Sequence, residues 1–248
     1  MQREERLRSM LELLRSEGFA TVEDLSRKFY ISLPTTYRDL RELERERLII
    51  RGDGGAMPVM AEKAHLPLDF RQVMNVPAKM RIGQRAAALL EPGDVIFLDA
   101  SSTAANMVQF LNPKLELTVL TNGLLTAVQL REAGIRTYCV GGRLVDNSVA
   151  VCGKLAYDLV DHFTLRKMFF SAFGVDERGV IIDMSEMESS LRRHLLKKPI
   201  TSVFLCDHSK FGKRSVFHTA PLDMVDYVIT DAPLSPASPR PRREVLVV

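Results

Sequence analysis

Ser32-Leu33-Pro34-Thr35-Thr36-Tyr37-Arg38-Asp39-Leu40-Arg41-Glu42-Leu43-Glu44-Arg45, followed closely by Leu48-Ile49-Ile50-Arg51-Gly52-Asp53-Gly54-Gly55-Ala56, decides the fold of the first part of the chain. Ser32 suits a helix N-cap, and Pro34 falls in the first turn, where a missing N–H costs nothing. At about 100° per residue, Thr36, Leu40 and Leu43 share one side of this helix. Pro34, Arg38, Arg41 and Arg45 share the other, with Glu42 nearer the basic side. The apolar run Leu48 to Ile50, the glycines and Arg51 predict a small hairpin. Upstream, Leu7, Met10, Leu11 and Leu14 recur at helical spacing and Gly18 ends that helix. Thr21 then caps a short helix with Glu23 and Asp24 in its first turn and Val22, Leu25 and Phe29 facing inward.

Two helices, a tight turn, a longer helix and a basic hairpin, in that order, predict a winged helix-turn-helix over residues 1–56. Its third helix is shaped to enter a DNA major groove. A solvated amphipathic bundle is the plainer alternative, because Glu/Arg pairs at helical spacing are common on exposed helices. Bulk charge does not decide between them. The head holds eleven Lys/Arg against eleven Asp/Glu, and the whole chain is only +3. Segregation of the arginines is what points to a double-stranded DNA operator. Thr35, Tyr37 and Arg38 are the candidates for groove contacts, with Thr36 beside them. Ser32, Arg41, Arg45 and Arg51 are the candidates for the DNA backbone.

The chain has 248 residues, 46% of them hydrophobic, enough for two domains with cores. No apolar run is long enough to span a bilayer and the first residues are charged, so neither a membrane partner nor a signal peptide is expected. Three cysteines without CxxC spacing and five histidines without ligand spacing predict free thiols, a cytoplasmic setting, no metal and no cofactor.

Residues 57–78, with Pro58, Pro67 and Pro77, read as a linker, with one helical turn near Leu68. Residues 79–248 read as an α/β domain. A helix from Lys79 to Leu90 precedes apolar runs at 95–98, 117–120, 137–140, 168–170, 203–206, 227–229 and 245–248, most of them separated by helical segments, including one from Ser101 to Leu111. Such runs predict a largely parallel sheet covered on both faces. The Pro/Ser/Arg-rich stretch 233–243 is expected to be mobile.

Ligands of parallel sheets bind beyond the carboxyl ends of the strands. There the sequence places Asp99-Ala100-Ser101-Ser102-Thr103, then Thr121-Asn122, then Gly141-Gly142, and later Asp207 with Lys210. Each is ordinary alone, as a cap or a turn. Recurring at four strand ends, hydroxyls, amides and a lysine suit a small phosphorylated ligand.

The head resembles the DeoR family of bacterial regulators, through Ile31 to Glu44 and the wing Arg51-Gly52-Asp53-Gly54-Gly55-Ala56. It departs at Tyr37, Arg47 and Asp53, where the family usually has arginine, glycine and histidine. The body resembles the same family through Asp99-x-Ser-Ser-Thr, Thr121-Asn122, Gly141-Gly142, Asp207-x-Ser-Lys-Phe-Gly and Thr230-Asp231, with Ser101 in place of a glycine. The resemblance adds Glu188 and Arg192 as effector residues on a helix. It implies a sensor domain similar to ribose-phosphate isomerase folds, tuned to a phosphorylated sugar, in a repressor of carbohydrate genes. Palindromic operators call for a homodimer or homotetramer.

Two other readings compete. A sugar-phosphate isomerase or deaminase with an appended head would need paired carboxylates after a central strand, where this chain has Ser171-Ala172-Phe173-Gly174-Val175-Asp176. Asp176, Asp183, Glu186 and Glu188 are the candidate acids, which a solvated loop explains more simply. A bare oligomerisation module would fill the strand-end rim with its own side chains. The chain is therefore read as a non-enzyme.

Overall fold

The computed structural model describes residues 3–46, 48–52, 55–58, 68–145, 148–235 and 238–248. Three helices, Arg3–Glu17 (α1), Val22–Phe29 (α2) and Leu33–Arg45 (α3), pack around Met10, Leu14, Leu25, Leu40 and Leu43. Burying each such side chain contributes about 1.5–3 kcal/mol. Thr21 Oγ1 accepts from Asp24 N at 3.0 Å, and Ser32 Oγ accepts from Thr35 N at 3.4 Å, so both caps form where their residue types predict them. The turn between α2 and α3 is closed by Tyr30 in the left-handed conformation, φ 53°.

The hairpin Ile49–Gly52 (β1) and Gly55–Pro58 (β2) is antiparallel, and Ala56 exchanges two backbone hydrogen bonds with Ala20. That approach requires Gly55: a Cβ there would lie 2.3 Å from the Ala20 carbonyl, and its φ is +138°. Arg47, Asp53 and Gly54 lie outside the described residues.

After the linker come Leu68–Val73 (α4) and Val76–Ala87 (α5). Helix α5 starts ahead of the expected Lys79, because Pro77 occupies its first turn and initiates the helix instead of breaking it. The body then runs Val95–Leu98 (β3), Ser102–Ala105 (α6), Thr118–Thr121 (β4), Leu124–Glu132 (α7), Arg136–Cys139 (β5), Arg143–Leu144 (β6) and Val151–Cys152 (β7). Lys154–Asp161 (α8), Lys167–Phe170 (β8), Gly174–Val175 (β9), Val180–Asp183 (β10) and Glu186–Leu196 (α9) follow. Thr201–Cys206 (β11), Phe217–Pro221 (β12), Tyr227–Thr230 (β13) and Glu244–Val247 (β14) complete it.

Seven strands form one parallel sheet in the order β14-β13-β11-β8-β3-β4-β5. One face packs Phe97, Leu120, Phe170 and Phe204 against α8 and α9; the other packs Ile96, Leu98, Phe169 and Leu205 against α5 and α7. The small antiparallel sheet β12-β10-β9 was not legible in advance, since its strands are short and their apolar runs brief. The helix expected over 101–111 shortens to α6 and a 3-10 turn at Val108–Phe110. Asn106 Nδ2 donates to the Ser102 carbonyl at 2.8 Å, and α5 crosses so closely that a Cβ on Gly83 would lie 2.9 Å from Asn106 backbone atoms. In the Pro/Ser/Arg-rich tail, Ala237 and Pro236 lie outside the described residues. Leu234 is buried in the core, and Arg242 N bonds the Val225 carbonyl before β14 pairs with β13.

Candidate functional site

The outer face of α3 carries Tyr37, 45% exposed, with Arg38 and Arg41, both exposed. The charge balance of the head is resolved by pairing. Asp39, 1% exposed, accepts a two-pronged bond from Arg6, Nε–Oδ2 2.6 Å and Nη2–Oδ1 3.2 Å, which pins α3 to α1. Glu42 binds Arg3 and Arg45, Glu44 binds Arg51 at 2.7 Å, and Asp24 binds Arg27. Among the described residues of α3, Arg38 and Arg41 make no ion pair, so their guanidinium groups are the cations this helix leaves for an external anion. Arg45 and Arg51, also expected at the DNA backbone, are each shared with a carboxylate. Thr36 is a correction: it is fully buried and its hydroxyl donates to the Ser32 carbonyl at 3.1 Å, so it braces the first turn of α3 and cannot reach a groove. Tyr30, 95% exposed beside the start of α3, was missed; its left-handed turn position carried no sequence signal of its own.

In the body, a cavity of about 240 Å³ lies beyond the carboxyl ends of the central strands. Of the expected effector residues it gathers Ser101, Ser102, Glu188, Arg192, Asp207 and Lys210, and it adds Arg71, Asn75, Lys79, Phe173, Asp183 and Lys213. Its wall holds five cations (Arg71, Lys79, Arg192, Lys210, Lys213) against three carboxylates (Asp183, Glu188, Asp207), a balance that favours an anion.

Each charged group is held in place. Lys210 Nζ donates to Ser171 Oγ at 2.8 Å and to the Ala172 carbonyl at 2.6 Å. Lys79 Nζ donates to Ser102 Oγ at 3.1 Å and to the Arg71 carbonyl. Asn75 Nδ2, at the junction of α4 and α5, reaches Asp207 Oδ1 and Ser209 Oγ, both at 3.0 Å. Arg192 lies among Asp99, Asp183 and Glu188, with Asp99 Oδ2 at 2.8 Å from Nη2 and Glu188 Oε1 at 3.5 Å.

Burial, with repulsion from Lys210, pulls Lys79 down to about 8. Burial also pushes Glu188 up to about 7, against the pull of Arg192. Lys210 is likewise lowered by burial. Arg192 is disfavoured by burial, yet the carboxylates of Asp183, Asp99 and Glu188 outweigh that and hold it charged. The pocket thus contains one ammonium and one carboxylate that titrate near neutrality, a feature of ligand sites.

The remaining strand-end residues frame the cavity and lie outside its wall. Asp99 accepts from Ser101 N at 3.0 Å and Ser171 N at 3.2 Å, fixing two loops. Thr121 Oγ1 accepts from Gly123 N, and Asn122 Oδ1 accepts from Ala100 N, both at 3.0 Å. Thr103 is fully buried. Gly141 and Gly142 line the exposed rim near Leu155 and Cys152, where a Cβ on Gly142 would lie 2.3 Å from the Cys152 carbonyl. Strand-end position alone does not say which side chain points into the cavity. A larger open groove of about 950 Å³ lies at the opposite ends of the strands. Of its cations, Arg166 and Lys167 are already bound to Asp94, Lys198 to Asp161 and Arg243 to Asp226.

Residues 74–232 match the DeoR C terminal sensor domain, and residues 6–60 match the DeoR-like helix-turn-helix domain. The chain belongs to the DeoR family. An HTH-type transcriptional regulator of Bacillus subtilis (strain 168), YulB, is 33% identical over 94% of this chain and 91% of its own. The glycerol-3-phosphate regulon repressor of Escherichia coli (strain K12) is 28% identical over 94% of this chain and 92% of its own. Among solved structures, ribose 5-phosphate isomerase A of Methanocaldococcus jannaschii covers 55% of each chain at 17% identity and a TM-score of 0.42. As a family member the chain is a DNA-binding transcriptional regulator with a helix-turn-helix head and a sensor body. No helix among the described residues is long and apolar enough to cross a membrane.

Proposed function

We propose that this regulator is a cytoplasmic repressor of carbohydrate-metabolism genes, a homo-oligomer released from its operator by a phosphorylated sugar in the 240 Å³ cavity. The observation that carries this reading is the pair of ammonium groups on buried Lys79 and partly buried Lys210, beside hydroxyls and carboxylates suited to sugar hydroxyls. Lys210 and Lys79 take the phosphate; Ser101, Ser102, Asn75 and Asp207 take the sugar. Arg38 and Arg41 meet the operator, with Thr35, Tyr37 and Ser32 beside them. The repressor named above supports the metabolic setting, since a phosphorylated polyol names its regulon.

Ligand sensing is favoured over catalysis by the state of the carboxylates. Asp183 is bound to Arg192, and Asp207 to Asn75 and Ser209, so among the described residues the wall offers Glu188, 3.5 Å from Arg192, without a second unengaged carboxylate beside it. The test is a thermal-shift screen of phosphorylated sugars, followed by titration of each stabilising compound against labelled operator. A hit should raise Tm and lower operator affinity, and Lys210→Met should abolish both effects. Turnover of a hit into an isomer would sink the non-catalytic reading; stabilisation without loss of operator affinity would sink the sensor.

A further inference from the structure

Strand β5 ends the seven-stranded sheet, and exposed apolar side chains flank it on both faces. Leu124, Leu125 and Val128 of α7 are 38%, 40% and 54% exposed. Tyr138, Leu144 and Leu155 are 43%, 54% and 65% exposed. These side chains are contiguous: Leu124 N bonds the Val149 carbonyl, Leu144 pairs with Val151, and Gly141 lies against the Leu155 Cβ. Six exposed apolar side chains around one edge make a patch on the order of a few hundred Å², the scale at which the largest patch on a monomer is often functional. That is a substantial share of the about 800 Å² per partner of a stable interface.

The backbone adds direction. Val140 N bonds the Thr121 carbonyl on β4, so the amides of Thr137 and Cys139 point away from β4, toward the open side. The opposite edge, β14, is preceded by Arg242 and Arg243 and begins with Glu244, whereas β5, which carries Arg136, is bordered by the exposed apolar side chains above. The two edges of the sheet are therefore unlike.

The geometry points to β5 as the dimer interface: two copies pair this strand antiparallel about a two-fold axis, extending the sheet across the dimer. A strand edge is self-complementary under that symmetry. The same axis sets α7 against α7 of the partner on one face, and Leu144 and Leu155 against their counterparts on the other. This deepens the operator reading, which needs two heads, by naming the surface that joins them.

Sedimentation equilibrium of the full chain tests it. Val128→Glu and Leu155→Glu should each raise the dimer dissociation constant at least about 100-fold, while Val247→Glu on β14 should leave it unchanged. Both target positions are solvent-facing on helices, and unchanged circular dichroism will show the monomer intact. Independently of any variant, a short bis-maleimide should join two native chains through Cys139, the exposed cysteine, whereas Cys152 and Cys206 are buried. A monomeric wild-type chain, dimers indifferent to both glutamates, or a Cys139 that alkylates without cross-linking overturns the proposal. Failure of the operator reading shows elsewhere, as an unaltered DNA affinity of Arg38→Ala.

Discussion

Arg192→Met removes the only cation that contacts three buried carboxylates of the sensor domain among the described residues. Arg192, Asp99, Asp183 and Glu188 are 4%, 1%, 3% and 7% exposed. In the wild type Asp99 Oδ2 accepts from Nε at 3.1 Å and Nη2 at 2.8 Å, and Asp183 accepts from Nη1. Removing one partner of a buried ion pair costs about 3–5 kcal/mol, because the remaining charge is left without compensation. At about 2–4 °C per kcal/mol for a chain of this size, Tm should fall by roughly 10 °C. The loss should also depend on pH, with a defined sign. Glu188 already sits at about 7 in the presence of Arg192, above its ordinary value, so its ionisation favours the unfolded chain. Stability from such a group is complete below the unfolded pKa and is lost as pH rises through the folded one. Without the pull of Arg192, Glu188 rises further, so the gap between variant and wild type should be widest at pH 8 and narrow toward pH 6. Urea unfolding at pH 8, 7 and 6 measures it. A loss below about 1 kcal/mol, or a gap that ignores pH, would refute the view that Arg192 compensates these charges.

Arg38→Ala should weaken operator binding by about 10- to 100-fold, and Arg41→Ala should lower the slope of log affinity against log salt by about one, both read by fluorescence anisotropy. Arg6→Met strands Asp39 in the core of the head and should cost about 3 kcal/mol, and Asp39→Leu added to it should recover most of the loss in thermal melts. Sugar-phosphate affinity should fall between pH 7 and 8.5, as Lys79 loses its proton near 8 and Glu188 stays ionised above 7. Calorimetry at pH 8 in buffers of different ionisation enthalpy should then show proton uptake on binding, and Lys79→Met should flatten the profile. Phe173→Ala should leave effector affinity within a few-fold while removing most of its effect on the operator.

The head was legible because its signals are local. Caps at Thr21 and Ser32, Pro34 in a first turn and the segregated arginines all act within a few residues of one another. What escaped was the long-range part: Asp39 reads as one more surface acid until Arg6, thirty-three positions away, is seen to cover it. The parallel sheet was legible from its continuous apolar strands, and the pocket only by position. Strand ends announced where the ligand site lies, but Thr103, Thr121 and Asn122 serve the loops, while the wall is completed by Lys79 and Asn75. A lysine near the start of an amphipathic helix reads as solvated, and nothing nearby says that Ser102 will hold it. Arg192 and Asp99 are ninety-three residues apart, so their pairing leaves no spacing to read; only the family resemblance marked that helix.

Phe173 links these observations into a route from pocket to head. It lines the cavity, and it also packs with Met184, Val216 and Phe217 against Phe19, Ile50 and Met57 of the head. Its backbone neighbour, the Ala172 carbonyl, accepts from Lys210 Nζ. Under the proposed function, a phosphate that draws Lys210 away would release that carbonyl and loosen the segment carrying Phe173. The second route is covalent: Asn75, bound to Asp207 at the pocket, ends the connection that leads from the wing through α4. A tenfold change in operator affinity requires about 1.4 kcal/mol of coupling, and burial of one large apolar side chain is worth about 1.5–3 kcal/mol. Phe173 is partly buried, so its displacement supplies at most that range, and an effector response far beyond a hundredfold would require the linker to move as well.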